Sequence, residues 1–160
     1  MSHSKGWIKL GGLADGGKCE AAGRQSDESA PPGTDVPQYT EKCAEVLRQV
    51  LLDHEPELDR NADLLKPGAK RRSDAIAKFR SAPRLPSFPH VLLLIALTKL
   101  DKTNGSFSFV EVPEDKSIPR SEWKEEELVA EPGEGYMWRG DCERKPGDGD
   151  GGIMLLVMYS

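Results

Sequence analysis

The sequence is poor in the residues that most often cross-link a chain or carry its chemistry. Its 160 residues include three Cys, three His and only 6% aromatics. Cys19, Cys43 and Cys142 are odd in number and widely spaced, with no CxxC pair and no His at zinc-ligand distance. That argues against both a disulfide framework and a structural zinc site. Reduced thiols and the lack of an apolar signal-peptide core point to a cytoplasmic, intracellular protein. The longest apolar run, Val91 to Leu97, is far shorter than the roughly 20 residues a spanning helix needs, so no membrane span is expected. A net charge of -5, from 27 acidic and 22 basic side chains, gives no general attraction to nucleic acid. The one basic run, Lys70-Arg71-Arg72, reads as a solvated loop. No Gly-rich phosphate loop precedes a helix, and no Ser-His-Asp or Cys-His set has workable spacing.

What is present is enough chain for one domain with a core of its own. An apolar fraction of 37%, with 16 Gly and 12 Pro, implies that part of it is unpacked. Gly11 to Pro37 has almost no large apolar residue, so residues 1–39 read as a mostly flexible N-terminal segment. Gly6 to Leu10 forms a short strand within it. Residues 40–160 then form a single β-rich domain with a leading helix. Thr40 is a suitable N-cap, and Cys43, Val46, Leu47, Val50 and Leu51 follow at helical spacing, which predicts a helix over Glu41 to Asp53 that ends before Pro56. A second, short helix is expected from Ser73, burying Ile76 and Phe79.

Beyond the proline passage Pro83, Pro86, Pro89 the pattern becomes that of strands. Val91 to Leu97 has the length and composition of a strand buried on both faces. Asp101 to Gly105 is a turn, and Ser106 to Val110 alternates with period two, so a hairpin is expected. Leu128 to Glu131, Gly135 to Arg139 and Ile153 to Tyr159 are further strands. Without helices between them, they indicate an antiparallel sandwich or barrel. The last strand is apolar and must pair inside a sheet or with another chain.

Four segments carry a family resemblance. They are Leu94 to Asp101 with Asn104-Gly105; Phe109 to Pro113 followed by Glu114-Asp115-Lys116; Glu131 to Asp141; and Gly152 to Tyr159. In order and character they resemble the phytanoyl-CoA dioxygenase-like group of non-haem iron, 2-oxoglutarate-dependent oxygenases, and Lys5 to Leu10 is similar to that group's short leading strand. The resemblance implies a mainly β fold, a truncated or divergent double-stranded β-helix of jelly-roll or cupin-like form with one or two helices. It also implies iron and 2-oxoglutarate as cofactors if the family chemistry survives. That chemistry needs two His and one carboxylate on one face of the metal. Here the residue two after His90 is Leu92, the stretch Arg139 to Lys145 holds no His, and Gly149 to Ile153 holds no Arg for the cosubstrate. The metal and cosubstrate motifs are missing, so no cofactor is expected.

The expectation is therefore a protein without inherited oxygenase activity that binds a small apolar molecule or another protein chain, a second copy of itself included. Trp123, Tyr136, Trp138 and Arg139 are the candidate pocket residues. The enzyme alternative is a dioxygenase of the same iron and 2-oxoglutarate type, with an atypical metal site made by His90, Asp141 and Glu143. A metal-independent isomerase or cyclase would use buried acids such as Glu134 or Asp141. Asp148-Gly149-Asp150-Gly151 lacks the full ligand set of a calcium loop and reads as a flexible turn.

Overall fold

The computed structural model of the protein describes residues 6–79 and 90–160. In chain order the elements are β1 (Trp7–Leu10), α1 (Gly16–Glu28), α2 (Glu41–Leu65), β2 (Arg71–Lys78), β3 (Val91–Ala96), β4 (Phe107–Glu111), β5 (Lys124–Glu127), β6 (Gly135–Arg139), β7 (Glu143–Pro146) and β8 (Ile153–Tyr159). They build a five-stranded sheet, ordered β1-β6-β3-β8-β2, facing a three-stranded sheet, ordered β5-β4-β7, with every pairing antiparallel. The expected mainly β, cupin-like sandwich is present. Among the described residues, no helix is long and apolar enough to cross a membrane.

The uninterrupted apolar run of β3 is buried along its whole length because successive side chains serve different cores. Val91, Leu93 and Ile95 pack toward the helices, with Val46, Val50 and Leu58 of α2, while Leu92, Leu94 and Ala96 face the small sheet. β8, placed between β3 and β2, divides its side chains in the same way. The apolar strand at the chain end is thus paired on both edges.

Several expectations need correction. The segment read as flexible contains α1, capped by Asp15, whose carboxylate accepts from Lys18 N at 2.9 Å. Composition concealed it because α1 packs through small residues, Cys19, Ala22, Gly23 and Ser26, rather than large ones. A Cβ on Gly23 would stand only 3.2 Å from Leu97 Cβ, so the helix lies close on the sheet. Helix α2 runs through Pro56 to Leu65. Proline frees the carbonyl four residues earlier, at Leu52, but that residue is 78% exposed and water can serve its carbonyl, while buried Leu58, Ala62 and Leu65 hold the next turns down. The basic run and the predicted short helix after it are instead β2, recruited because the apolar β8 needs a partner on its second edge.

The predicted hairpin does not form either. β3 pairs with β6 and β8, β4 pairs with β5 and β7, and the turn between them carries the chain from one sheet to the other. β5 precedes the expected span, leaving Leu128 and Ala130 buried just beyond it, and β7 was not anticipated. The Asp148 to Gly151 turn is laced to the 101–106 turn. Gly105 N donates to Asp148 O at 2.8 Å, Asp148 N to Lys102 O at 2.8 Å and Gly152 N to Asn104 O at 3.0 Å. Lys5 and the passage Pro83 to Pro89 lie outside the described residues.

Gly149 sits at φ +75°, and a Cβ there would collide with Thr103 O. Gly149→Ala should therefore lower stability by about 2 kcal/mol or more, from left-handed strain added to a backbone clash. A urea midpoint equal to that of the parent protein would show that this loop is free to move.

Candidate functional site

The space between the two sheets is where the sequence-predicted pocket would lie. Alternation on β6 turns Tyr136 and Trp138 into it and sends Met137 to the helix side. Trp7 stands opposite Trp138 in register, and Phe107 and Phe109 rise from β4. Phe109 stacks on Trp7 with centroids 5.0 Å apart and planes at 9°, while Phe107 meets Trp138 edge-on at 5.6 Å. Arg144 of β7 is the direct cross-strand neighbour of Phe109, and its guanidinium lies over the Phe107 ring at 5.6 Å. Such contacts are favourable for a partly desolvated cation.

The polar chemistry of this cluster is one-sided. Trp7 Nε1, Trp138 Nε1 and Arg144 Nη1 are buried without a hydrogen-bond partner. All three are donors. Burial lowers the pKa of Arg144 from its ordinary value, with the nearby Cys142 as the only opposing influence. Burial also raises the pKa of Tyr136. Ser26 and Ser106 are also buried, and Ser106 Oγ is already bonded to Leu128 O at 2.8 Å. Glu126 shares the inner face of the small sheet opposite Phe109, but it stands two strands from Arg144, about 10 Å at ordinary strand spacing.

Of the predicted pocket residues, the structure brings together Tyr136 and Trp138 and leaves the other two outside. Trp123 lies beyond a short turn, Arg120–Glu122, where its Nε1 donates to Ile118 O at 3.0 Å and Arg120 covers its ring at 5.1 Å. Arg139 alternates away from Trp138 along β6 and pairs with Asp141 at 2.8 Å. Sequence reasoning missed Trp7, Phe107, Phe109 and Arg144. The alternation of Ser106 to Val110 held a signal for the two Phe, but Arg144 was hidden in the charged run of β7.

The proposed metal residues meet only through the backbone. Gly140 N donates to His90 O at 2.7 Å, which sets His90 beside the Asp141 turn, and His90 Nδ1 is buried without a partner. Asp141 is turned to Arg139, and Glu143 is in contact with Arg120. Among the described residues, no group of three His, Cys, Asp or Glu is placed to hold a metal. Outside them, residues 80–89 contain none of these four types and residues 1–5 contain His3. Cys142 donates to Gly6 O at 3.1 Å, and burial pushes its pKa up to about 11, so it stays a protonated thiol. This donor set does not fit an iron site of two imidazoles and a carboxylate. Glu134 accepts from Glu131 N at 2.9 Å in its own turn, so the structure gives it a role in shaping the backbone.

An open groove of about 920 Å³ runs between α1 and α2 and is lined by Asp15, Lys18, Lys42, Glu45, Leu52 and Glu55 among others. Its charges are mixed and it converges on no polar centre.

No protein-family model matches the chain, and no curated sequence matches it significantly. Solved structures do match in fold. The non-heme alpha-ketoglutarate-dependent epimerase SnoN from nogalamycin biosynthesis is 13% identical at a TM-score of 0.62, over 97% of this chain and 77% of that one. The non-heme monooxygenase ThoJ, in its nickel complex, is 10% identical at 0.62, over 96% and 73%. HygX from Streptomyces hygroscopicus with iron bound is 12% identical at 0.60, over 97% and 82%. At these identities the likeness shows the fold, the cupin-like β architecture of non-haem iron enzymes.

Burial also pushes the Cys19 thiol up to about 11. In the folded protein at about pH 8, Cys19 and Cys142 should react slowly with Ellman's reagent, whereas all three thiols should react at once in denaturant. The folded state holds these protons to higher pH than the unfolded chain does, so stability should fall as pH rises from about 9 through 11. Rapid labelling at pH 8, or a urea midpoint unchanged between pH 8 and 10.5, would contradict that burial.

Proposed function

We propose that the protein is a divergent phytanoyl-CoA dioxygenase-like chain that keeps the double-stranded β-helix without the inherited oxygenase chemistry. It binds a small organic molecule between its sheets. The observation that carries this reading is the chemistry of the inter-sheet cluster, which offers indole and guanidinium N–H groups and aromatic faces. An iron centre would require imidazole and carboxylate there. Jelly-roll and barrel folds take ligands between or within their sheets, with aromatic walls and a few polar anchors, and this cluster has that composition. Fold alone does not decide activity, which follows from the site built on it.

One observation favours a second reading. His90 Nδ1 is buried without a partner beside Asp141. If Asp141 and Glu143 turned away from Arg139 and Arg120, His90 and a carboxylate would be free to ligate iron in an atypical metal site of an iron and 2-oxoglutarate dioxygenase. Metal analysis after anaerobic incubation with ferrous iron, with and without 2-oxoglutarate, separates the two. The first reading expects iron far below one per chain and no change in His90→Ala. One iron per chain, lost in that variant, would establish the second.

A further inference from the structure

We propose that the groove between α1 and α2 receives the same face of a second copy, so that two chains pair through their helices about a two-fold axis at Leu52. The inference goes beyond the inter-sheet reading and uses none of its residues. Among the described residues Leu52 is the most exposed large apolar side chain, at 78%. A single exposed leucine is ordinary on a monomer, but this one stands on the wall of an open hollow of about 920 Å³. Ala14, Ala21, Val46, Leu51 and Pro56 line the same hollow. A projecting apolar side chain and a hollow in one patch suit a two-fold interface, because each copy supplies both.

Charge selects the occupant. The chain carries a net charge of -5, yet the charged residues lining the groove balance: Asp15, Glu45 and Glu55 against Lys18, Lys42 and Arg48. A strongly acidic or basic partner finds no matching field there, whereas a copy of this neutral face meets it without net repulsion. The order of residues along α2 also suits its own reverse. Antiparallel contact about an axis at Leu52 sets Arg48 of each chain opposite Pro56 of the other and next to Glu55, so that two ion pairs flank the leucines. Arg48 now meets Glu41 at 2.8 Å, but both side chains are largely exposed, and such a pair contributes little and exchanges readily. Pro56 adds a backbone reason, since it leaves the Leu52 carbonyl without an intrahelical donor where the other chain's Arg48 arrives. From Lys42 to Pro56 the contact is about 20 Å long, or about four turns of helix. That is at the small end for specific interfaces, so association is reversible and depends on concentration.

Sedimentation equilibrium of the full chain from about 5 to 500 μM tests this, because a reversible pair is governed by mass action. The mass should rise across that range from 17.6 kDa toward twice that value. Leu52→Glu should weaken pairing at least about tenfold. Leu64→Glu, at an exposed position of α2 outside the groove, should leave it unchanged. Both leucines are exposed, so each variant should keep the circular dichroism of the parent protein. Arg48→Glu and Glu55→Arg should each weaken pairing at least about fivefold, and the two together in one chain should restore it to within about threefold. A monomer at every concentration would overturn the inference and leave the groove to a different protein. Pairing that ignores Leu52→Glu, that fails equally with Leu64→Glu, or that stays as weak in the double variant as in the single ones would overturn it as well.

Discussion

The structure depends on β3 having no exposed face. Leu93 lies between Met137 of β6 and Val157 of β8, and Leu94 between Tyr136 and Leu156, so one strand holds both neighbours in register and feeds two cores at once. Burying a Val, Leu or Ile side chain contributes about 1.5–3 kcal/mol, and every residue of β3 is buried. A slip of one position would exchange its two faces, setting Leu92 and Leu94 against the helices and Val91 and Ile95 against the aromatic cluster. The position of Trp138, opposite both Leu92 and Trp7, follows from that register.

Given this frame, the inter-sheet cluster is notable for its imbalance. The helix-side core is largely apolar, with Ser26 Oγ in contact with Cys43 Sγ at 3.0 Å and the Tyr159 hydroxyl buried without a partner. On the other side of the same sheet, two indole N–H groups and one nitrogen of the Arg144 guanidinium are buried with no acceptor. Proteins tolerate such local inconsistency mainly where function requires it. With SnoN, ThoJ and HygX the chain shares the fold, and the donor chemistry of the cluster is read from its own residues.

Much of the large sheet was legible in the sequence. Gly135 to Arg139 and Ile153 to Tyr159 are strands over the expected spans, and Val91 to Leu97 revealed its double burial by unbroken apolarity. Elements that pack by other means were not legible. Helix α1 buries small residues against the sheet, so its apolar signal is weak, and β2 takes its strand form from β8. The hairpin failed because turn chemistry reports only a local reversal. Asp101 to Gly105 reverses the chain, but the apolar demand of β3 on both faces gives its edges to β6 and β8. At the site, Tyr136 and Trp138 followed from alternation. Arg144 did not, because a charged residue in a charged strand reads as solvated until its cross-strand neighbour, Phe109, is known.

The central claim is that Arg144 is kept for a guest and not for the fold. Urea unfolding of Arg144→Met without added ligand tests it most directly, since methionine preserves length and packing on Phe107 while removing the unpaired charge. The account predicts a stability equal to or above that of the parent protein. A loss of about 1 kcal/mol or more would show that the guanidinium supports the fold itself, and the account would fail.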